Sequence, residues 1–187
     1  MTDVTDLTGK LLIAMPGMGD PRFEKSVVVL VAHGPDGGMG LIVNKPAPSI
    51  GLGHLFDQLE IEGESGAEGP VYFGGPVENS RGFVLHNAEY RQDDTTLSID
   101  ARFGMTATLD ILRAMAEGTG PDRSLVALGY SGWGPGQLEG EIADNGWLIA
   151  DADPELVFSK DHGGKWLAAI GALGIDPILL SAEGGRA

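Results

Sequence analysis

The residues best suited to chemistry lie where apolar runs break. Ser124 to Tyr130 reads as a buried strand, and Gly129-Tyr130-Ser131-Gly132 places a serine hydroxyl among small residues at its end. That pattern approaches the G-x-S-x-G elbow, whose small neighbours let a serine nucleophile sit on a tight, strained turn. Trp133 stands where the last glycine should be, and the helix predicted over 135–145 begins too late for an elbow. Asp151 and His162 complete the chain order Ser, Asp, His, but nothing in the spacing brings them to Ser131. No catalytic residue is assigned on this pattern.

Binding chemistry has more candidates. Asn44 and Lys45 close the second of two apolar runs, and Pro46, which has no N–H to donate, reads as the end of that ladder. Gly74-Gly75-Pro76 lies between strands predicted over 70–73 and 82–86, and Arg81 and His86 bracket the second of these. The glycine pair lets the backbone approach a neighbour closely, yet it has neither dinucleotide nor P-loop spacing. Arg81 suits a carboxylate or phosphate through its paired N–H donors, or an internal salt bridge. With Tyr130 and Ser131, these residues make a candidate polar groove: Asn44, Lys45, Gly74, Gly75, Pro76, Arg81, His86, Tyr130 and Ser131. On the 135–145 helix, Glu141 shares an arc with Gln137 and Asp144 but not with Glu139, which argues against a simple carboxylate pair. No H-x-x-x-H occurs, and His86-Asn87-Ala88-Glu89 leaves a strand end rather than a helix face. Neither a metal site nor a cofactor is expected.

Elements to position these groups are legible from pattern. Val27 to Ala32 is apolar on both faces and reads as a central strand, paired through a turn at Gly34 to Gly38 with Leu41 to Val43; His33 sits at its rim. Lys10 to Met15 is a first strand, and Asp20 before Pro21 reads as a turn former. Ser49 is the expected N-cap of a helix over 50–59 with Leu52, Leu55, Phe56 and Leu59 on one face and His54 solvated. A mobile acidic loop is expected over 60–69, and an edge strand over 95–100. A helix is predicted over 106–117, a strand over 147–150, a helical turn over 154–159, a helix over 165–173 and a frayed tail over 181–187. Mixed strands and helices without repeats or linkers predict a single α/β domain across 1–187.

The phrase Leu12-Ile-Ala-Met-Pro16-Gly-Met-Gly-Asp20-Pro-Arg-Phe23-Glu-Lys-Ser26-Val-Val, followed by Met39-Gly-Leu-Ile-Val-Asn44-Lys45-Pro46, resembles the opening of the bacterial YqgE/AlgH family. The resemblance continues through Phe73-Gly-Gly-Pro76, Arg81-Gly-Phe-Val-Leu-His86, Leu128-Gly-Tyr130-Ser-Gly-Trp133 and Asn145-Gly-Trp147-Leu, so it spans nearly the whole chain. It implies an α/β fold with a bifurcated, barrel-like sheet, and a regulatory role without an agreed biochemical activity. The family also tolerates alanine at the position of Ser131, which speaks against a serine nucleophile.

Composition narrows the partners. At 187 residues and 42% hydrophobic content the chain can bury a full core. There is no cysteine, and the acidic, polar Met-Thr-Asp-Val-Thr-Asp-Leu opening is unlike a signal peptide. No apolar run approaches the ~20 residues that span a bilayer, so a cytoplasmic protein without membrane contact is expected. Two function classes follow: a non-enzymatic regulatory protein whose groove takes a small anionic ligand or a protein partner, or an enzyme of hydrolytic type using the same groove. Twelve Lys+Arg against 27 Asp+Glu give a formal net charge of −15, which repels nucleic acid. Direct duplex DNA binding is therefore expected to be absent. A mobility shift at ~150 mM salt with sub-micromolar affinity, sensitive to Lys45→Ala, would overturn this expectation.

Overall fold

A strand apolar on both faces needs cover on both, and the Val27 to Val31 run receives it. In the computed structural model, which describes residues 6–16, 23–61, 69–91 and 95–175, Val27, Val29 and Val31 enter the central core. Val28 and Leu30 enter a second cluster on the opposite face. The expectations for Asp20, for residues 62–68 of the acidic loop and for the 181–187 tail lie outside the described residues.

Strands β1 (Lys10–Ala14), β2 (Val27–Gly34) and β3 (Gly37–Ile42) form an antiparallel meander with Pro35-Asp36 as the β2–β3 turn. Pro46 then opens strand β4 (Pro46–Gly51) instead of ending a ladder, which is sterically cheap because β4 is an edge and its first residue need not donate. Holding residues 46–51 extended delays the next helix, so α1 is Leu52–Gln58 with Gly51 rather than Ser49 at its N-cap.

Strand β5 (Pro70–Phe73) is followed by β6 (Val77–Asn87), which starts five residues before the expected strand because Val77 already pairs with Tyr130 ahead of an irregularity that ends at Gly82. Two short strands, β7 (Thr96–Ser98) and β8 (Phe103–Thr106), complete this branch. Thr106 thus belongs to a strand, and helix α2 is Leu109–Glu117. The long strand β9 (Ser124–Trp133) runs beyond the expected Tyr130 and leads through Gly134-Pro135-Gly136 to α3 (Gln137–Ala143). The chain ends its described part with β10 (Trp147–Asp151), α4 (Pro154–Val157) and α5 (Lys165–Ala172).

The sheet order is β10-β1-β2-β3-β9-β6-β8-β7, with β5 and then β4 branching from β9. Gly129 is the branch point. Its φ of 76° kinks β9, so residues 131–133 pair with β3 while residues 127–128 pair with β5. Both partners lie along one edge, and β6 occupies the other. The Gly74 carbonyl stitches the fork, accepting Ile42 N–H at 3.0 Å and the Ser131 hydroxyl at 3.1 Å. The result is an α/β fold whose mixed sheet bifurcates and curls into a half-barrel flanked by helices.

Helices α1 and α2 bury Leu52, Phe56, Ile111 and Leu112 against Val71, Val84 and Val126. On the other branch α3 inserts Leu138 beside Trp133 and Trp147. Glu141 pins that helix: its Oε1 accepts both the Trp133 and Trp147 indole N–H groups, at 3.0 and 2.9 Å, and its Oε2 accepts Gln137 Nε2 at 2.9 Å. His33 supports the same helix from below, accepting Leu7 N–H on Nδ1 and therefore donating from Nε2 to Glu139 at 3.2 Å.

The fork generates a stability prediction. A Cβ at Gly75 would be driven into the Tyr130 backbone, and one at Gly129 into the Gly75 carbonyl, with both residues at positive φ. Gly75→Ala or Gly129→Ala should each cost at least ~3 kcal/mol of unfolding free energy by denaturant titration. Gly53→Ala, in a helix with open space around it, should instead gain about 0.5–1 kcal/mol. A loss at Gly53 equal to that at Gly75 would contradict this account of the fork.

Candidate functional site

The nine residues of the candidate groove take up different environments. Gly74 and Gly75 are buried against β9, and Ser131, also fully buried, spends its hydroxyl on the Gly74 carbonyl. The close backbone approach expected of the glycine pair is therefore to the chain's own strand. Pro76 is half-buried beside them, and Tyr130 stands edge-on to Phe83 with ring centroids 5.8 Å apart. Arg81 is exposed, 3.7 Å from Glu78, with its guanidinium 5.2 Å above the Phe83 ring.

His86 sits further along β6, opposite Ser124, and is fully buried. Its Nδ1 faces the Asn87 carbonyl at 2.9 Å and must donate to it, so Nε2 accepts from the Thr106 hydroxyl at 2.8 Å, which in turn meets Thr96. Loss of solvent holds its pKa below the ordinary histidine value, with the Asn87 carbonyl opposing the shift. Neutral and doubly bonded, His86 serves the β6–β8 seam. The structure thus gathers Gly74, Gly75, Tyr130 and Ser131 at the fork and reaches Arg81 through Phe83, while His86 occupies the opposite end of the strand.

Asn44 and Lys45 help to line a separate cleft. Asn44 is a clamp: Oδ1 accepts Val27 N–H at 2.9 Å and Nδ2 donates to the Lys25 carbonyl at 2.8 Å. This grip holds Lys25 at a φ of 54°, a left-handed conformation unusual for a lysine. The Lys25 ammonium lies 5.8 Å from the centre of the Trp166 ring. Trp166 is fixed in turn, its indole donating to the Ala14 carbonyl at 2.8 Å. Lys25, Asn44, Lys45, His162 and Trp166 are the principal walls of a cleft of about 270 Å³, with Glu24 the one carboxylate among its described lining residues.

The same histidine also lines a larger cavity of about 480 Å³, whose walls include Leu52, Tyr72, Met115, Phe158 and Lys160. Next to Trp166, Lys165 is 1% exposed, donating to the Val43 and Val157 carbonyls at 2.8 and 2.7 Å and lying 5.0 Å from the centre of the Tyr72 ring. Lys25, His162, Trp166 and Lys165 are absent from the groove expected from sequence. Trp166 reads there as one member of an apolar helical stripe, and Lys165 as an ordinary helix start. No local pattern announces that either one faces a cleft or is sealed from solvent.

Comparison with known proteins agrees with this architecture. The AlgH-like family model matches residues 11–178, and the chain belongs to that family. A UPF0301 protein of Ruegeria pomeroyi is 60% identical over 184 residues, covering 97% of this chain and all of the relative. One from a Jannaschia species is 57% identical over 190 residues, covering 100% and 99%. Among solved structures, the solution structure of AlgH from Pseudomonas aeruginosa matches with a TM-score of 0.77 at 40% identity, covering 97% of this chain and 96% of that one. A crystal structure from Corynebacterium diphtheriae, at 20% identity and a TM-score of 0.75 over 97% and 94% of the two chains, shares the fold.

Lys165 gives the site a measurable signature. Burial pushes its ammonium down from 10.5 to about 8, with Asp161 partly opposing the fall. Between those values the unfolded chain holds a proton that the folded chain has released, so unfolding free energy rises with pH by about 1.4 kcal/mol per unit. Below pH 8 the cost of the buried charge is constant. Relative to Lys165→Met, the unaltered protein should therefore gain about 3 kcal/mol from pH 8 to 10.5 in denaturant titrations. Parallel stability curves would show that Lys165 does not titrate in the folded state as described.

Proposed function

We propose that this AlgH-like protein is a non-enzymatic binding protein of the cytoplasm, acting in regulation, that takes a small anionic ligand in the cleft of Lys25, Lys45, His162 and Trp166. The observation that carries the reading is the Asn44 clamp, which holds a lysine in a strained conformation beside a fixed tryptophan. Strain of this kind persists only where surrounding contacts enforce it, and it gathers at ligand clamps. Lys25 and Lys45 both line this cleft, so an anion there meets two ammonium groups beside the Glu24 carboxylate. Among the described residues no helix is long and apolar enough to cross a membrane.

A hydrolytic enzyme would need a nucleophile within hydrogen-bond range of a base. The buried Ser131 hydroxyl, already donating to Gly74, favours the binding reading instead. Calorimetric titration at low salt with pyrophosphate and with citrate tests it. Saturable binding is expected for at least one of them, weakened about tenfold by Lys25→Ala or Lys45→Ala, the worth of one charge-assisted hydrogen bond. Arg81→Lys should leave affinity within about twofold. Absence of saturable heat with both anions, or a loss on Arg81→Lys without one on either lysine substitution, would overturn the reading.

A further inference from the structure

The larger cavity differs from the cleft in chemistry. Its walls include the aromatic rings of Tyr72 and Phe158 and the aliphatic chains of Leu52 and Met115, with Lys160 exposed at the border. His162 stands among them, its ring edge-on to Tyr72 with centroids 6.1 Å apart. Among the described residues, His162 Nδ1 is the buried side-chain polar atom without a hydrogen-bond partner. That atom is sealed from the cavity as well as from bulk water, so the ring meets the cavity through its remaining edge. Roughly 480 Å³ of mostly apolar space with a few convergent polar groups has the volume and chemistry of a small-molecule site.

We infer that this cavity is a second binding site, selective for an acid that carries an aromatic ring system. Its ring system lies among Tyr72, Phe158, Leu52 and Met115, where offset and edge-to-face contacts add to the gain from burial. Its acid group lies beside the accessible edge of the His162 imidazole and near the Lys160 ammonium. Aliphatic acids without a ring satisfy only the polar end, and uncharged aromatics only the apolar one. The inference does not rest on anion capture by Lys25 and Lys45, neither of which is among the residues lining this cavity.

The probe is 1-anilinonaphthalene-8-sulfonate, added to the intact protein under conditions where circular dichroism shows a cooperative melt. Saturable, blue-shifted fluorescence with a 1:1 end point is expected, displaced by 4-phenylbutyrate but not by acetate at equal concentration. His162→Phe keeps an aromatic ring and removes the polar imidazole edge, and should weaken the dye about tenfold. Lys160→Glu, at an exposed position that spares the core, should weaken it at least fivefold, while Arg113→Ala binds as the unaltered protein does. Absence of saturation, displacement by acetate as effective as by phenylbutyrate, or equal binding by His162→Phe, Lys160→Glu and the unaltered protein would each overturn the inference. Pyrophosphate titrations of Lys25→Ala and Lys160→Glu, which leave the shared wall His162 intact, read the lysine cleft separately, so failure at one site leaves the other standing.

Discussion

A single steric constraint governs the fold: where the Gly74-Gly75 backbone meets β9 at Gly129, there is no room for a side chain on either strand. Because the two backbones can touch, β9 carries β5 on its edge up to Leu128 and β3 from Ser131 onward. Both branches of the sheet hang from that junction. The inner surface of the curl then draws Val27, Val29, Leu41, Phe83 and Leu85 into one core that α5 joins through Trp166 and Ile170, while α1, α2 and α3 cover the outer surfaces. The three glycines follow from the need for two backbones to occupy adjoining space.

Elsewhere, buried and half-buried polar side chains join separate segments of the chain. Asn44 ties β3 to the start of β2, Glu141 ties α3 to two tryptophans, and Lys165 ties α5 to Val43 and the end of α4. Each satisfied group is worth little net, but leaving one unsatisfied in the interior costs the full desolvation penalty. Lys165 shows the balance most plainly. Its hydrogen bonds supply donors to two carbonyls, while its burial drives the ammonium down to about 8. The walls of the lysine cleft are consequently stiff, since the adjacent residues Trp166 and Lys165 are anchored to Ala14 of β1 and to Val43 just past β3.

Much of this was legible in the sequence, for physical reasons. Valine and isoleucine runs broken by glycine announced β2 and β3, and the 3–4 spacing of Leu109, Leu112 and Ala116 announced α2. Boundaries shifted where pairing overrode local preference: Ser49 is a good cap, yet the β4–β5 pairing keeps its neighbourhood extended. The Gly74-Gly75 pair was readable as a place of close approach, but a sequence cannot say whose backbone arrives. His86 has polar nitrogens suited to a ligand, and only the register with β8 shows that Thr106 and Asn87 consume them. Lys165 was illegible because lysine usually keeps its ammonium in water.

The placement of β9 and β10 late in the chain also bears on how the molecule is made. Strands β1, β2 and β3 leave the ribosome as a complete hairpin meander, but the partners of its two outer edges arrive only with residues 131–133 and 147–151. At about 5–20 residues per second, the β3 edge waits roughly 5–20 s for its partner. During that interval the most hydrophobic strand of the protein, Val27 to Val31, stands in a three-stranded sheet with both borders open. The nascent chain is therefore most open to association with other chains, or to capture by a chaperone, in the middle of its synthesis, and β9 closes that window by joining the two branches.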